Sequence, residues 1–188
     1  MLRTAGELFR RQGYHGTGLN QVVAEGQAPK GSLYFHFPAG KEQLATESID
    51  LLGGELRQAI GAVLSAAPDP RAAMLRAAAL LGQALEGSGF RDGCPVAVMA
   101  LEAAADSEPI RAACDGAYDS WLEVIGGYLR SAGVAEDEAG PLADFVLSSI
   151  EGALLLARVR RDVGVLRAVA ERLGAIVSAA ALNRRERA

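Results

Sequence analysis

The sequence is poor in cysteine, histidine and aromatic residues, and each shortage excludes a class of protein. Cys94 and Cys114 are the only cysteines, which excludes a CxxC motif, a four-cysteine zinc site and a disulfide-dense scaffold. The only histidines are His15 and His36, and no glycine-rich phosphate loop or metal-ligand spacing accompanies them. We therefore predict no catalytic residues, no metal site and no cofactor.

Long apolar runs and secretory features are also missing. The apolar runs, such as "ALLLA" at residues 153–157, fall far short of the roughly 20 residues that a membrane span needs. Arg3, Glu7 and Arg10 interrupt the apolar positions near the N-terminus, unlike a secretory signal. With 188 residues, 50% of them hydrophobic and 22% charged, the chain reads as a cytoplasmic globular protein with no membrane partner.

The net charge of -4 would by itself argue against a polyanionic partner, but its distribution matters more than its total. Residues 1–48 hold five Lys/Arg against four acidic residues, whereas the remaining residues hold 14 against 19. Phosphate contact is local and is screened beyond about 10 Å. An acidic body therefore does not prevent the N-terminal part from binding DNA.

What the sequence does contain is helical periodicity, and strand-like alternation is scarce. Apolar residues recur at spacings of three and four, with Gly, Pro and Asp between the segments. This predicts an all-α fold with helices over about residues 2–12, 19–26, 29–37, 41–67, 70–86, 96–105, 109–133, from 136 or 141 to 161, and 164–182. The segment from 41 to 67 would be one long helix that joins an N-terminal three-helix head to a larger helical body.

The first three segments predict a helix-turn-helix head. Gly13 ends the first helix, Thr17 can cap the second, and Gly26 ends the second before Pro29 opens the third. Two short helices joined by a tight turn form the arrangement whose second helix enters the DNA major groove.

The third segment concentrates rings and cations in "KGSLYFHFPAGKEQL", residues 30–44. Leu33 and Phe37 are four apart and are expected to pack inward. The positions left for other faces are Lys30, Ser32, Tyr34, Phe35 and His36. Each residue taken alone fits a solvated face or a core aromatic, but the cluster after a helix and a tight turn favours DNA contact.

Residues 2 to about 48 resemble the DNA-binding head of TetR-family transcriptional repressors. The resemblance rests on "LFxxxGYxxT" from Leu8, on "KGSLYxHF" from Lys30, and on a Lys-Glu pair that opens the fourth helix. It implies an N-terminal DNA-binding domain over 1–48 and a ligand-binding and dimerisation domain over 49–188. It further implies that Thr17 caps helix two near a phosphate, that Lys30, Gly31 and Ser32 face the groove, that Tyr34 and His36 clamp the backbone, and that Lys41 reaches a phosphate.

The last two helices carry apolar positions that suit assembly. One series is Leu142, Phe145, Ser149, Ala153 and Leu156, and the other is Leu166, Val169, Leu173 and Ile176. Periodicity alone also fits a hairpin buried within one chain. The family resemblance favours a symmetric homodimer formed through these helices.

The segment "RDGCPVAVMALEAAADS", residues 91–107, resembles the LmrA/YxaF-type subgroup of these repressors, which is associated with drug-efflux operons. Glu102, Arg111, Asp115 or Asp119 could orient an effector there. The candidate apolar lining is Phe90, Met99, Cys114, Tyr118, Trp121 and Phe145. Residue by residue, ordinary core packing is the better supported reading of that set.

The sequence thus predicts a repressor that leaves operator DNA when a small apolar or amphipathic molecule binds the body. Two alternatives stay open. One is a helical small-molecule carrier with a degenerate head, and the other is a redox-responsive regulator that uses Cys94 or Cys114.

Overall fold

The computed structural model describes the backbone of residues 1–187 and the side chains of residues 1–182 except that of Lys30. Over these residues the chain is helical and contains no strand, so the all-α prediction is confirmed. The helices are α1 (Leu2–Gly16), α2 (Leu19–Glu25), α3 (Lys30–His36), α4 (Lys41–Ser65), α5 (Pro70–Gly87), α6 (Pro95–Ala103), α7 (Glu108–Ser131), α8 (Glu136–Arg160) and α9 (Gly164–Arg187).

Helices α5 and α6 each begin with a side-chain cap that is followed by a proline in the first turn. The Asp69 carboxylate accepts the Ala72 N–H at 2.8 Å, with Pro70 in the first turn of α5. At the start of α6, the Cys94 sulfur accepts the Ala97 N–H at 3.5 Å, and Pro95 is the first helical residue. A proline is tolerated there because its missing N–H would have no helical partner.

The turn between α1 and α2 differs from the prediction at Thr17. Gly13, inside α1, has φ 79° and ψ 173°, so regular helix stops where the sequence indicated and one further turn follows. The N-cap of α2 is Gly18, with no side-chain cap. The Thr17 hydroxyl instead donates to the Gly13 carbonyl oxygen at 2.8 Å and is buried. The prediction that Thr17 caps α2 was therefore wrong, because its hydroxyl bonds the preceding turn instead.

The chain forms two compact units, and neither is a continuous stretch of sequence. Unit 1 comprises residues 1–56 and 92–118, and unit 2 comprises residues 57–91 and the chain from Asp119 onward. The helix-turn-helix segment therefore shares a compact unit with α6 and the first part of α7.

The core of unit 1 forms where α1 packs against α6 and α2, and α2 packs against α3. Large apolar side chains that fill it are Leu8, Phe9, Val22, Leu33, Leu44, Val96, Met99 and Ile110. Leu33 and Phe37 face inward as their spacing predicts. Their burial fixes which face of α3 is left for solvent.

In unit 2, α9 packs against both α5 and α8. The approach of α9 to α5 is close at Gly174, where an added Cβ would lie 2.8 Å from the Arg71 Cα. Glycine is required there because that atom belongs to the backbone. Buried large side chains of this unit are Leu85, Trp121, Leu129, Leu166, Leu173 and Val177.

Candidate DNA-binding surface and dimer face

The exposed face of α3 is centred on Phe35. Successive helical residues are about 100° apart, so Phe35 lies about 160° from both Leu33 and Phe37, the two buried anchors. Its side chain is 81% exposed. Gly31 lies one turn earlier on the same side, and an added Cβ there would meet nothing within 4 Å. The centre of the exposed face thus carries one apolar ring beside an open glycine.

Tyr34 and His36 flank this centre on either side of α3. Tyr34 is 65% exposed, and His36 is also exposed. The ring of His36 contacts that of Phe35 edge-on, with centroids 5.1 Å apart. Ser32 is half-buried near the start of the helix. For Lys30 the backbone lies in α3, whereas its side chain is outside what the structure describes.

Lys41, the predicted phosphate contact at the start of α4, lies against α1. Its ammonium nitrogen is 4.5 Å from the centroid of the Tyr14 ring, a cation–π distance. Partial burial lowers the pKa of Lys41, and the Glu102 carboxylate acts in the opposite direction. The cation is thus placed beside the turn that ends at Thr17.

Asp92 begins the 92–118 segment of unit 1 and links that segment to α1. Its carboxylate pairs with Arg10 Nη2 at 2.5 Å and with Arg11 Nε at 3.2 Å, while Asp92 itself is only 9% exposed. Sequence reasoning missed this cluster. The partners are about 80 residues apart in the chain, and no local spacing indicates them.

Glu102 and Ser107 make a second tie at the other end of α6. The Glu102 carboxylate accepts the backbone N–H of His15 at 3.3 Å, and the Ser107 hydroxyl donates to Glu42 at 2.8 Å. An added Cβ at Gly13 would lie 2.0 Å from the Glu102 carboxylate. The predicted effector-orienting residue Glu102 therefore contacts the helix-turn-helix segment in this structure.

The predicted effector residues are divided between the two units. In unit 1, Met99 and Cys114 are buried and Tyr118 is half-buried. Burial raises the pKa of Cys114 to about 11, which keeps the thiol protonated near neutral pH. In unit 2, Trp121 is fully buried, Phe90 is half-buried and Phe145 is 48% exposed. Arg111, another predicted orienting residue, pairs with Glu108 and Asp115 on the surface of α7.

Helices α8 and α9 carry six large apolar side chains that are exposed within unit 2. This set, termed the α8/α9 apolar face, comprises Phe145, Leu155, Leu156, Val159, Ile176 and Leu182, each 42% exposed or more. Three predicted interface residues, Ala153, Leu166 and Leu173, are no more than 2% exposed. They have no surface to offer a partner, because they pack inside the chain. Leu142, Ser149 and Val169 are half-buried.

Two further classes of site are absent from the part of the chain that the structure describes. None of its helices is long and apolar enough to cross a membrane. The same residues include no group of three or more His, Cys, Asp or Glu side chains placed to hold a metal ion.

Comparison with known proteins identifies the class to which this fold and surface belong. Residues 1–47 match the family described as bacterial regulatory proteins of the tetR family, and residues 70–172 match the LmrA/YxaF-like transcriptional regulator C-terminal domain. The HTH-type transcriptional regulator LmrA of Bacillus subtilis (strain 168) is 41% identical over 162 residues, covering 86% of each chain.

Solved structures share the fold of this chain. A regulatory protein TetR from Rhodobacter sphaeroides has the same fold, with a TM-score of 0.82 and 22% identity over 92% of this chain and 94% of that chain. A cysteine mutant of the TetR-family regulator CifR, complexed with 26-bp double-strand operator DNA, has a TM-score of 0.74 and 27% identity over 92% of both chains.

The matches define a helix-turn-helix DNA-binding transcriptional regulator rather than an enzyme. The chain belongs to the TetR family, with a C-terminal domain of the LmrA/YxaF-like type. The resemblance predicted from the sequence is confirmed.

Proposed function

We propose that the protein is a homodimeric repressor that binds operator DNA through α3 and releases it when a small apolar or amphipathic effector binds. The observation that carries this proposal is the surface of α3. Its core face is filled by Leu33 and Phe37, while Tyr34 and His36 stay exposed on its flanks within a segment that matches the family's DNA-binding region.

The DNA contacts follow from that surface. Tyr34 and His36 donate hydrogen bonds to phosphates on either side of the major groove, and Lys41 supplies a cation to a nearby phosphate. Gly31 has no side chain, so the backbone of α3 can come close to the base edges in the major groove. Lys30 and Ser32 lie beside it at the start of α3. Thr17 acts indirectly, since its buried hydroxyl bonds the Gly13 carbonyl oxygen and holds the turn.

The α8/α9 apolar face is the proposed contact between subunits. An exposed set of this composition is typical of a protein–protein interface. Phe145, Leu156 and Ile176, all predicted from spacing, are exposed on it. Pairing of α8 and α9 with their copies would form a four-helix contact, and Leu142, Ser149 and Val169 would lie at its edges.

Dimerisation matters for DNA recognition because it links two weak contacts. Two recognition helices about 34 Å apart read two half-sites of one operator. Linked contacts raise the overall affinity well above that of one head alone. Binding across a promoter would exclude polymerase, which is the basis of the proposed repression in the cytoplasm.

Effector release requires that the effector bind the DNA-free form more tightly than the DNA-bound form. We assign DNA binding to residues 1–48 and effector binding with dimerisation to residues 49–188. Within unit 1, α6 is tied to α1 by Asp92 and Glu102. A movement of α6 would therefore move the helix-turn-helix segment, in addition to any movement of α4.

The first test is binding to the DNA that flanks the protein's own gene, followed by fluorescence anisotropy between about 50 and 200 mM salt. We expect selective binding with a steep salt dependence. The Tyr34→Ala/His36→Ala variant should bind at least about 100-fold more weakly, because several phosphate hydrogen bonds are lost in the dimer. The variant should keep a steep salt dependence, because the cation of Lys41 remains to release counterions.

Leu101→Ala is the matched control, because Leu101 is 83% exposed and lies in unit 1 outside the helix-turn-helix segment. Its DNA affinity should equal that of the wild type. Weak binding that is equal for all sequences, for the wild type and for the double variant would contradict the proposal. That result would favour the small-molecule carrier with a degenerate head.

Trp121, the single tryptophan of the chain, provides the effector assay. A compound that releases DNA should also change the fluorescence of this buried residue, with an affinity reduced by DNA. Linkage requires that the effector lower the affinity for DNA by the same factor by which DNA lowers the affinity for the effector.

A further inference from the structure

Phe35 is the one large apolar ring on the exposed face of α3 that the proposed phosphate contacts do not use. It is 81% exposed, more than either Tyr34 or Val159. An exposed phenyl ring gains no hydrogen bond from water and would be stabilised by losing contact with it. This makes the ring a candidate for a contact that forms only when α3 binds its target.

The geometry of α3 determines which part of DNA this ring would meet. Phe35 lies opposite Leu33 and Phe37, at the centre of the face that points away from the core. Tyr34 and His36 lie on the flanks, where the phosphates of the two strands would be. Gly31, one turn before Phe35, adds no side chain and has open space around it. The central position therefore faces the base edges.

Chemistry then restricts the target among those edges. A phenyl ring neither donates nor accepts a strong hydrogen bond, so it cannot read the polar groups of guanine, cytosine or adenine. The apolar group that the major groove displays is the C5-methyl of thymine, and Phe is among the side chains that contact it. Phosphates are excluded as partners because they are charged and strongly hydrated.

We propose that Phe35 is a specificity-determining residue that packs against a thymine C5-methyl group in each operator half-site. This inference rests on the proposed DNA-binding function and names a base that one side chain selects. The surroundings also distinguish it from a protein contact, since hydrogen-bonding rings flank Phe35, whereas the exposed members of the α8/α9 apolar face carry no hydrogen-bonding side-chain group.

The test uses the duplex that footprinting defines upstream of the protein's own gene, with thymines replaced one symmetric pair at a time by deoxyuridine. Deoxyuridine keeps the base pairing and removes only the methyl group. Wild-type affinity should fall at one pair of positions by about fourfold for each half-site, as expected for loss of one buried methyl-sized group. Replacing a cytosine elsewhere by 5-methylcytosine should have no such effect.

The Phe35→Ala variant completes the comparison. It should bind the thymine duplex more weakly than the wild type does, keep the steep salt dependence, and bind the thymine and deoxyuridine duplexes equally. Circular dichroism and thermal unfolding should match the wild type, because the ring is exposed. Leu101→Ala, which removes an equally exposed apolar side chain outside α3, should keep the full sensitivity of the wild type.

Two results would overturn the inference while leaving the proposed function intact. One is selective operator binding by the wild type that is insensitive to deoxyuridine at every position. The other is a Phe35→Ala variant with the same sensitivity to the missing methyl as the wild type. A wild type that binds no sequence selectively would instead remove the proposed function, and this inference with it.

Discussion

Two exposed surfaces of the molecule, one in each unit, both show large apolar side chains but differ in what surrounds them. On α3, Phe35 lies between Tyr34 and His36, which carry hydrogen-bonding groups. On the α8/α9 apolar face, Leu155 and Val159 are exposed together with other side chains that carry no hydrogen-bonding group. Exposure alone therefore does not define a partner. Polar groups beside an apolar ring suit a DNA groove, and a set of exposed apolar side chains suits another protein surface.

The interiors of the two units also differ in the contacts that hold their segments together. Unit 1 joins two separate segments partly through polar ties, such as Asp92 with Arg10 and Glu102 with His15. In unit 2, α9 approaches α5 closely at Gly174, and this approach depends on the missing side chain of glycine. Changes of charge should therefore affect the two units differently.

The largest effect is expected from a charge placed in the α8/α9 apolar face. Leu155→Arg puts a guanidinium at the centre of the proposed subunit contact, where its desolvation would not be compensated. We expect the dimer to dissociate into folded monomers at micromolar concentration, with a loss of about 100-fold or more in operator affinity because the two heads are no longer linked. Light scattering and DNA anisotropy measure the two effects.

Leu80→Arg is the matched control for this variant. Leu80 is 42% exposed on α5 of the same unit and lies outside the α8/α9 apolar face. The Leu80→Arg variant should remain a dimer and keep its operator affinity. If Leu155→Arg were also a dimer with full affinity, the subunit contact would have to lie elsewhere.

An intermediate effect is expected at Gly13, the turn of unit 1 that Glu102 contacts. Gly13→Ala places a Cβ in a backbone region that is essentially restricted to glycine, with φ 79° and ψ 173°, at a cost of about 1–3 kcal/mol. The new methyl also displaces the Glu102 carboxylate from the His15 N–H. Urea unfolding should show the loss.

Glu102→Ala in the same background separates the two causes of this loss. Removing the carboxylate relieves the steric contact but not the backbone strain, so most of the destabilisation should persist. Gly54→Ala, in the interior of α4 with open space around it, should be neutral or stabilising by up to about 1 kcal/mol. Equal stability of Gly13→Ala and the wild type would show that the turn relaxes freely.

The sequence predicted the helices well because glycine and proline punctuate them, as Gly13 and Pro70 do. It did not predict the ties of Asp92, since its partners Arg10 and Arg11 are distant in the chain and no period connects them. Thr17 was misassigned because a hydroxyl can bond either the following helix or the preceding turn, and the structure has the second bond.

The sets of surface residues were also only partly predictable. In α8 and α9 apolar residues occupy more than one face, so spacing selected buried Leu166 and Leu173 together with exposed Ile176. Leu155 and Val159 were missed for the same reason. The signal for Phe35 was present as an apolar residue two positions from both buried anchors, where the helical wheel predicts full exposure.

The smallest effect is expected from oxidation. Burial raises the pKa of Cys114 to about 11, so at pH 8 only about 0.1% of this thiol is the reactive thiolate. In a Cys94→Ser background, Cys114 should react with iodoacetamide at least about 100-fold more slowly in the folded protein than in the unfolded protein, as measured by mass spectrometry.

Peroxide treatment of the wild type should leave operator affinity unchanged. A loss of DNA binding on oxidation that Cys114→Ser abolishes would instead support the redox-responsive alternative, and would require unit 1 to open enough to expose the thiol.

The discontinuity of unit 1 sets a limit on how DNA specificity can be exchanged between relatives. A chimera that takes only residues 1–48 from another regulator would replace Arg10 and His15 but keep their partners. The Arg10–Asp92 ion pair and the hydrogen bond from the His15 N–H to Glu102 would then be at risk. To transfer the DNA-binding unit intact, a chimera would need residues 92–118 of the other regulator as well. Substituting the exposed side chains of α3 one at a time avoids this problem, so new operators are more readily reached by point mutation than by recombination.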